Sequence, residues 1–161
     1  MAEQVAEQQD NTVLPTLTCS IEGEHVLLPG VAVAEIIEYS MVESYSEDAP
    51  HWLLGRLPWR GIDVPLISLE SLNHGAFFTK RDSLKIIVVN ALYDLKEHAY
   101  WAFVALDTPR LNRIAKDALL PLDEAVDGEV AIMKAELEQL AVTLVDVNKI
   151  ENLILEAVES L

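Results

Sequence analysis

The stretch Leu53-Leu54-Gly55-Arg56-Leu57-Pro58-Trp59-Arg60-Gly61-Ile62-Asp63-Val64-Pro65-Leu66-Ile67-Ser68-Leu69 sets two glycines, two prolines, a tryptophan and two arginines among apolar residues. Ile62, Val64 and Leu66 alternate with Asp63 and Pro65, the pattern of a half-buried strand. Arg60-Gly61 before it supplies a residue that tolerates positive φ, so the stretch reads as a hairpin bent at Trp59-Arg60-Gly61. Pro65 has no N–H to give to a ladder, which places its strand at a sheet edge or a bulge, with some backbone left free. Ser68 then stands as the cap of a short helix, Leu69–His74, closed by Gly75.

Toward the N-terminus, residues 1–13 (MAEQVAEQQDNTV) are polar, rich in Glu and Gln, and without an apolar face. They read as a flexible acidic tail, with a single domain over 14–161. Residues 17–21 alternate as a strand, Glu22-Gly23-Glu24 makes a turn, and His25-Val26-Leu27-Leu28 returns as the second arm of a hairpin. Pro29-Gly30 ends it. The mixed periodicity of 31–39 leaves a helical turn and a strand both open. Residues 43–50, ESYSEDAP, form an acidic loop leading back to the central hairpin.

Toward the C-terminus, Ile86-Ile87-Val88-Val89 is β-branched with no polar face and reads as a fully buried strand. After a turn over 90–97, residues 98–106 form a strand apolar on both faces, which therefore lies between two packed layers. Residues 111–122 are ambiguous, Asp127-Gly128 is a turn before Val130-Ala131-Ile132-Met133, and Leu140–Val145 is the last strand. Ile150, Leu153, Ile154, Ala157, Val158 and Leu161 then share one stripe of an amphipathic helix, capped by Asn148 or Asp146. Short strands about ten residues apart with one terminal helix define a mostly β barrel or sandwich.

Eleven bases against 27 acids give a net charge of −16, and residues 1–50 hold ten acids and no Lys or Arg. That balance excludes nucleic acid as a partner, since phosphate contacts need clustered Lys and Arg. The single cysteine, Cys19, lies in the alternating Leu17-Cys19-Ile21 run and reads as a core thiol. No secretory leader opens the chain and no apolar run approaches ~20 residues, so a soluble cytoplasmic protein without membrane insertion is the expectation.

The chain has no Gly-rich phosphate loop, Gly-x-Ser-x-Gly, His-Glu-x-x-His or paired-cysteine metal motif. Glu22, Glu24 and His25, or Glu97 with His98, are the candidate metal ligands, but neighbours on a strand point to opposite faces. Trp59 and Arg60 carry more weight, being residue types enriched at binding hot spots. Two readings stay open for each. Trp59 is a half-buried barrel residue or a contact residue; Arg60 belongs to a structural ion pair or reaches a partner.

At this hairpin the sequence resembles the CheW family of chemotaxis adaptors, whose signature runs roughly Gly-x-x-x-Leu-Arg-Gly-x-x-x-Pro-Val-x-Asp-Leu. Gly55, Arg60, Gly61, Pro65 and Leu69 stand at the matching positions. Val33, Glu35 and Ile36 match the family's Val-x-Glu-Ile stretch, 83–89 its buried Ile-Val strand, and 140–150 its closing segment, so the resemblance spans about 14–155. Two departures stand out: the usual Asn-Leu-Arg-Gly is Pro58-Trp59-Arg60-Gly61 here, and the signature Asp is Ser68. The resemblance implies two small five-stranded SH3-like barrels around a shared core and neither catalysis nor a cofactor. It also implies two partners, the regulatory domain of a CheA-type histidine kinase and the tip of a methyl-accepting chemoreceptor. Val33, Glu35, Gly55 and Arg60 match family positions implicated in those contacts, and Trp59 and Gly61 join them as hairpin residues. Trp before Arg-Gly is also similar to accessory CheW-like proteins of type IV pilus systems, the ChpC type. A ligand-binding β-barrel and a metal-dependent enzyme using the scattered histidines are the competing hypotheses.

Overall fold

A computed structural model describes residues 12–93 and 99–161. β1 (Val13–Ile21) and β2 (Glu24–Pro29) form the first hairpin; a helical turn at Gly30–Ala32 leads into β3 (Val33–Glu38). β4 (Leu53–Trp59) and β5 (Ile62–Ile67) make the central hairpin, followed by α1 (Leu69–His74), β6 (Lys85–Asn90) and β7 (Tyr100–Ala105). β8 (Arg110–Ala115), a short helical turn, β9 (Leu119–Pro121), β10 (Ala131–Leu137), β11 (Leu140–Val145) and α2 (Val147–Glu159) complete the chain.

The strands form two sheets, ordered β3-β6-β7-β5-β4 and β8-β1-β2-β11-β10-β9. The mostly β fold with a C-terminal helix is therefore as expected. One sheet has the five strands anticipated and the other has six, the extra one being the three-residue β9. β1 begins at Val13, paired with Ala115, so the first strand includes the last residue of the expected tail. Residues 1–11 of that tail, residues 94–97 of the turn expected over 90–97, and His98 lie outside the described residues.

Alternation along the strands sorts the core into three clusters. Ile87 and Val89 of β6 and Trp101 and Phe103 of β7 point to a shared core, where they meet Leu17, Cys19, Val26 and Leu28 of the other sheet. Ile86, Val88, Ala102 and Val104 from the opposite faces of β6 and β7 join Leu57, Trp59, Val64 and Leu66 inside the five-stranded sheet. Leu27, Ile114, Ala135, Leu137 and Val142 fill the smaller interior of the six-stranded sheet. β6 and β7 are thus apolar on both faces because each face covers a different core. Cys19 is a buried core thiol, and burial pushes its pKa far up.

Ser68 caps α1 by accepting from the Ser71 N–H, and Gly75 ends it at φ 74°. For α2 the cap is Asp146, which accepts from the Lys149 N–H at 3.0 Å. Ile150 and Ile154 bury the helix stripe against the shared core, with Leu153, Ala157 and Val158 half-buried beside them. Glu151 is fully buried on the same helix. Its carboxyl oxygens accept from Leu92 N and Tyr93 N at 2.8 and 3.0 Å and from Trp101 Nε1 at 3.0 Å, so a polar group in the interior is met by three donors.

The edge placement expected for Pro65 needs correction, because β5 lies between β4 and β7. Trp59↔Ile62 closes a two-residue turn and is a hydrogen-bonded pair; by alternation Arg56↔Pro65 is not. Pairing with β7 begins at Leu66↔Ala102. The proline therefore sits where neither ladder asks its nitrogen for a proton, and an interior strand accommodates it.

Candidate interaction site at the β4–β5 hairpin

The bend consists of Arg60 at φ 48° and Gly61 at φ 78°. Positive φ at both central residues is the type I′ turn whose twist matches that of the flanking strands. Glycine adopts it freely, whereas Arg60 holds a left-handed conformation at a cost of about 1 kcal/mol. What fixes the arginine is its surroundings. Its guanidinium carbon lies 4.7 Å above the Trp59 ring and its Nη2 lies 3.3 Å from Glu35 Oε2. The Trp59 indole N–H donates to that same carboxylate oxygen at 2.7 Å, and the Trp59 and Tyr100 rings pack edge to face with centroids 4.8 Å apart.

Glu35 reaches this position through a bulge. Val33 pairs with Val89 but Glu35 with Val88, so β3 takes two steps while β6 takes one. Val89 faces the shared core and Val88 the interior of the five-stranded sheet. The additional residue, Ala34, thereby turns Glu35 to the face that holds Trp59; unbroken alternation would have kept it on the face of Val33. β4 has a matching bulge between Leu53 and Gly55.

Glu35, Trp59 and Arg60 thus form one constellation on the turn that Gly61 completes. Val33 is half-buried and packs on the shared core. Gly55 serves chain packing: a Cβ there would stand 2.5 Å from the Glu43 carbonyl oxygen and 2.8 Å from Val42 Cγ2. Glu43 bridges to Arg56 through hydrogen bonds of 3.1 and 2.7 Å, and this crossing needs the glycine. Of the two readings left open for Arg60, the ion pair is present, and its side chain is still 68% exposed. Trp59 is 8% exposed, closer to the barrel-residue reading, with its polar nitrogen spent on Glu35.

The other candidates separate. Glu24 uses both carboxylate oxygens on Asn73, His74 and Thr143, at 3.1, 2.9 and 2.8 Å, which ties α1 to β11. His51 stacks on Phe77. Among the described residues no group of three or more His, Cys, Asp or Glu is arranged to hold a metal ion. Sequence reasoning missed Glu35 as the partner of Trp59, and Glu151 and Asn73 as buried polar anchors. A lone acid or amide in a strand or helix looks like a solvated one until its distant partner is known.

Two curled sheets over a common core, with a turn that presents a largely exposed arginine outward, define a small two-sheet β protein. The chain belongs to the CheW-like domain family, whose model matches residues 15–153. The crystal structure of the scaffolding protein TtCheW from Thermoanaerobacter tengcongensis has the same fold, with a TM-score of 0.67 over 84% of this chain and 90% of that one at 15% sequence identity. Comparison with curated protein sequences returns no match. No helix among the described residues is long and apolar enough to cross a membrane.

Proposed function

We propose that this chain is a non-catalytic cytoplasmic adaptor joining chemoreceptors to a CheA-type histidine kinase, with Val33, Glu35, Gly55, Trp59, Arg60 and Gly61 belonging to its contact surface. One observation carries the reading. Glu35 and Trp59 hold Arg60 in place while leaving most of its side chain to solvent, so its free N–H donors are oriented before a partner arrives. The refinement to a type IV pilus system and twitching motility rests on Trp59 preceding Arg60-Gly61. The test pairs the purified regulatory domain of a CheA-type kinase, and separately a receptor-tip fragment, with wild type and Arg60→Ala. A loss of about 1–3 kcal/mol in binding with the melting temperature held supports the proposal. Unchanged binding to both, with lowered stability, would make Arg60 structural only and remove the hairpin from the site.

A second reading draws on a groove of about 650 Å³ in the six-stranded sheet, lined by apolar residues including Leu14, Leu27, Ile114, Met133 and Leu144. A volume of that order suits a small apolar ligand. Saturable binding of an apolar fluorescent dye, quenched by Leu144→Glu, would favour a ligand-binding barrel; absence of binding would set that reading aside.

A further inference from the structure

β8 is an edge of the six-stranded sheet, six residues long, with all of its side chains exposed except Ile114. Arg110, Arg113 and Lys116 place three of the chain's 11 bases within or just after this strand. The ion pairs of the described residues engage Arg60, Arg81, Lys85, Lys134 and Lys149, and neither Arg110 nor Arg113. Arg56 and Lys80, the other described bases outside those pairs apart from Lys116, lie over the Tyr45 and Tyr39 rings. Arg110 and Arg113 are thus two arginines with neither an acidic nor an aromatic partner among the described residues. Leu111 stands between them 57% exposed, and Val13 and Leu14 of the neighbouring strand are 50% and 41% exposed.

We infer that the outer edge of β8 receives an extended acidic segment of another protein, added as a further strand. Edge strands offer unpaired N–H and C=O groups to any incoming chain, and that backbone supplies affinity while side chains set the choice of partner. Arg110 lies opposite Thr18 and Arg113 opposite Pro15, three positions apart and so on opposite faces of the strand. The matching segment therefore carries two carboxylates three positions apart, one on each face, with an apolar residue placed to cover Leu111. Charge alone also serves to keep an edge unpaired, but either sign suffices for that. Gathering scarce bases here, around an exposed leucine, suits attraction instead. A second copy of this chain is disfavoured by its own net charge of −16. This surface is separate from the hairpin and does not depend on what the hairpin binds.

The test titrates the full-length ¹⁵N-labelled protein with a short capped peptide alternating Val and Thr and carrying two Glu three positions apart, followed by its Gln counterpart. The expected result is amide shifts centred on β8 and β1, weakened by added salt. Binding should fall about tenfold with the Gln peptide or with the Arg110→Gln/Arg113→Gln variant, whose spectrum elsewhere is unchanged. Shifts confined to the hairpin, no shifts at any peptide concentration, or equal binding of the two peptides would overturn the inference. So would concentration-dependent self-association abolished by Arg113→Glu, which would make the occupant a second copy.

Discussion

The indole nitrogen of Trp59 and the carboxylate of Glu35, 2.7 Å apart, join the two edge strands of the five-stranded sheet. β3 and β4 share no ladder, so the sheet curls until side chains connect its ends. Trp59→Phe should remove this link and leave Glu35 with one donor fewer, destabilising the fold by about 1–2 kcal/mol in urea unfolding. Loss of stability from Glu35→Gln should be smaller, because an amide oxygen still accepts from the indole.

Gly61→Val should act on folding before binding. A β-branched residue is strained at φ 78°, and the type I′ turn would have to change form. Thermal unfolding should show a clear drop in melting temperature, whereas Gly61→Asn, a residue tolerant of that region, should stay near wild type.

At Gly55, alanine should be costly for a different reason. The new methyl would meet the Glu43 carbonyl at 2.5 Å, so the 43–56 bridge must open or β4 must shift. Amide exchange at Arg56, whose N–H donates to Glu43 at 2.7 Å, reports the damage directly and should accelerate.

Glu70 on α1 is buried with one carboxylate oxygen lacking a hydrogen-bond partner. Burial raises its pKa above the ordinary 4.5, helped by Glu22 and opposed by hydrogen bonds from its own backbone and from Ser68 and by Arg81. The folded state thus holds this proton more tightly than the unfolded chain does. Its contribution to stability is complete below the ordinary value and lost as pH rises through the raised one. Glu70→Gln should therefore stabilise the protein at neutral pH and change little in acid, as melting temperatures measured across that range would show. A uniform shift at every pH would point to packing instead.

Removing 148–161 should lower both stability and solubility. It uncovers the shared core beneath Ile150 and Ile154 and strips Leu92, Tyr93 and Trp101 of their carboxylate. An unchanged melting temperature would mean the helix stripe serves a partner instead.

Local grammar was legible in the sequence. Ser68, Gly75, Gly61 and the strand Leu140–Val145 each encode their structure within a few residues and fell where read, whereas the strand read over 17–21 begins four residues earlier, at Val13. Pro65 misled because an edge is a property of the whole sheet; the proline's own constraint was met by register. Glu35 was found through family resemblance, but its tie to Trp59 depends on a bulge at Ala34 that periodicity does not reveal. Residues 111–122 stayed ambiguous because β8 is exposed on nearly every position, leaving no apolar alternation to count.

The route of the chain constrains how it can be assembled in time. β3 to β7 are contiguous and complete one sheet, while in the other β8 pairs directly with β1, and β9–β11 join only when Thr143 comes to lie beside Val26. On a growing polypeptide the first hairpin must wait for its partners, with Leu17, Cys19 and Leu28 sheltered by the sheet that follows them and, last, by Val145, Ile150 and Ile154. Closure of the parallel β2–β11 pair is a long-range and therefore slow event. Substitutions in β11 should then lengthen the final folding phase, whereas those in β6 and β7 should affect the steps before it.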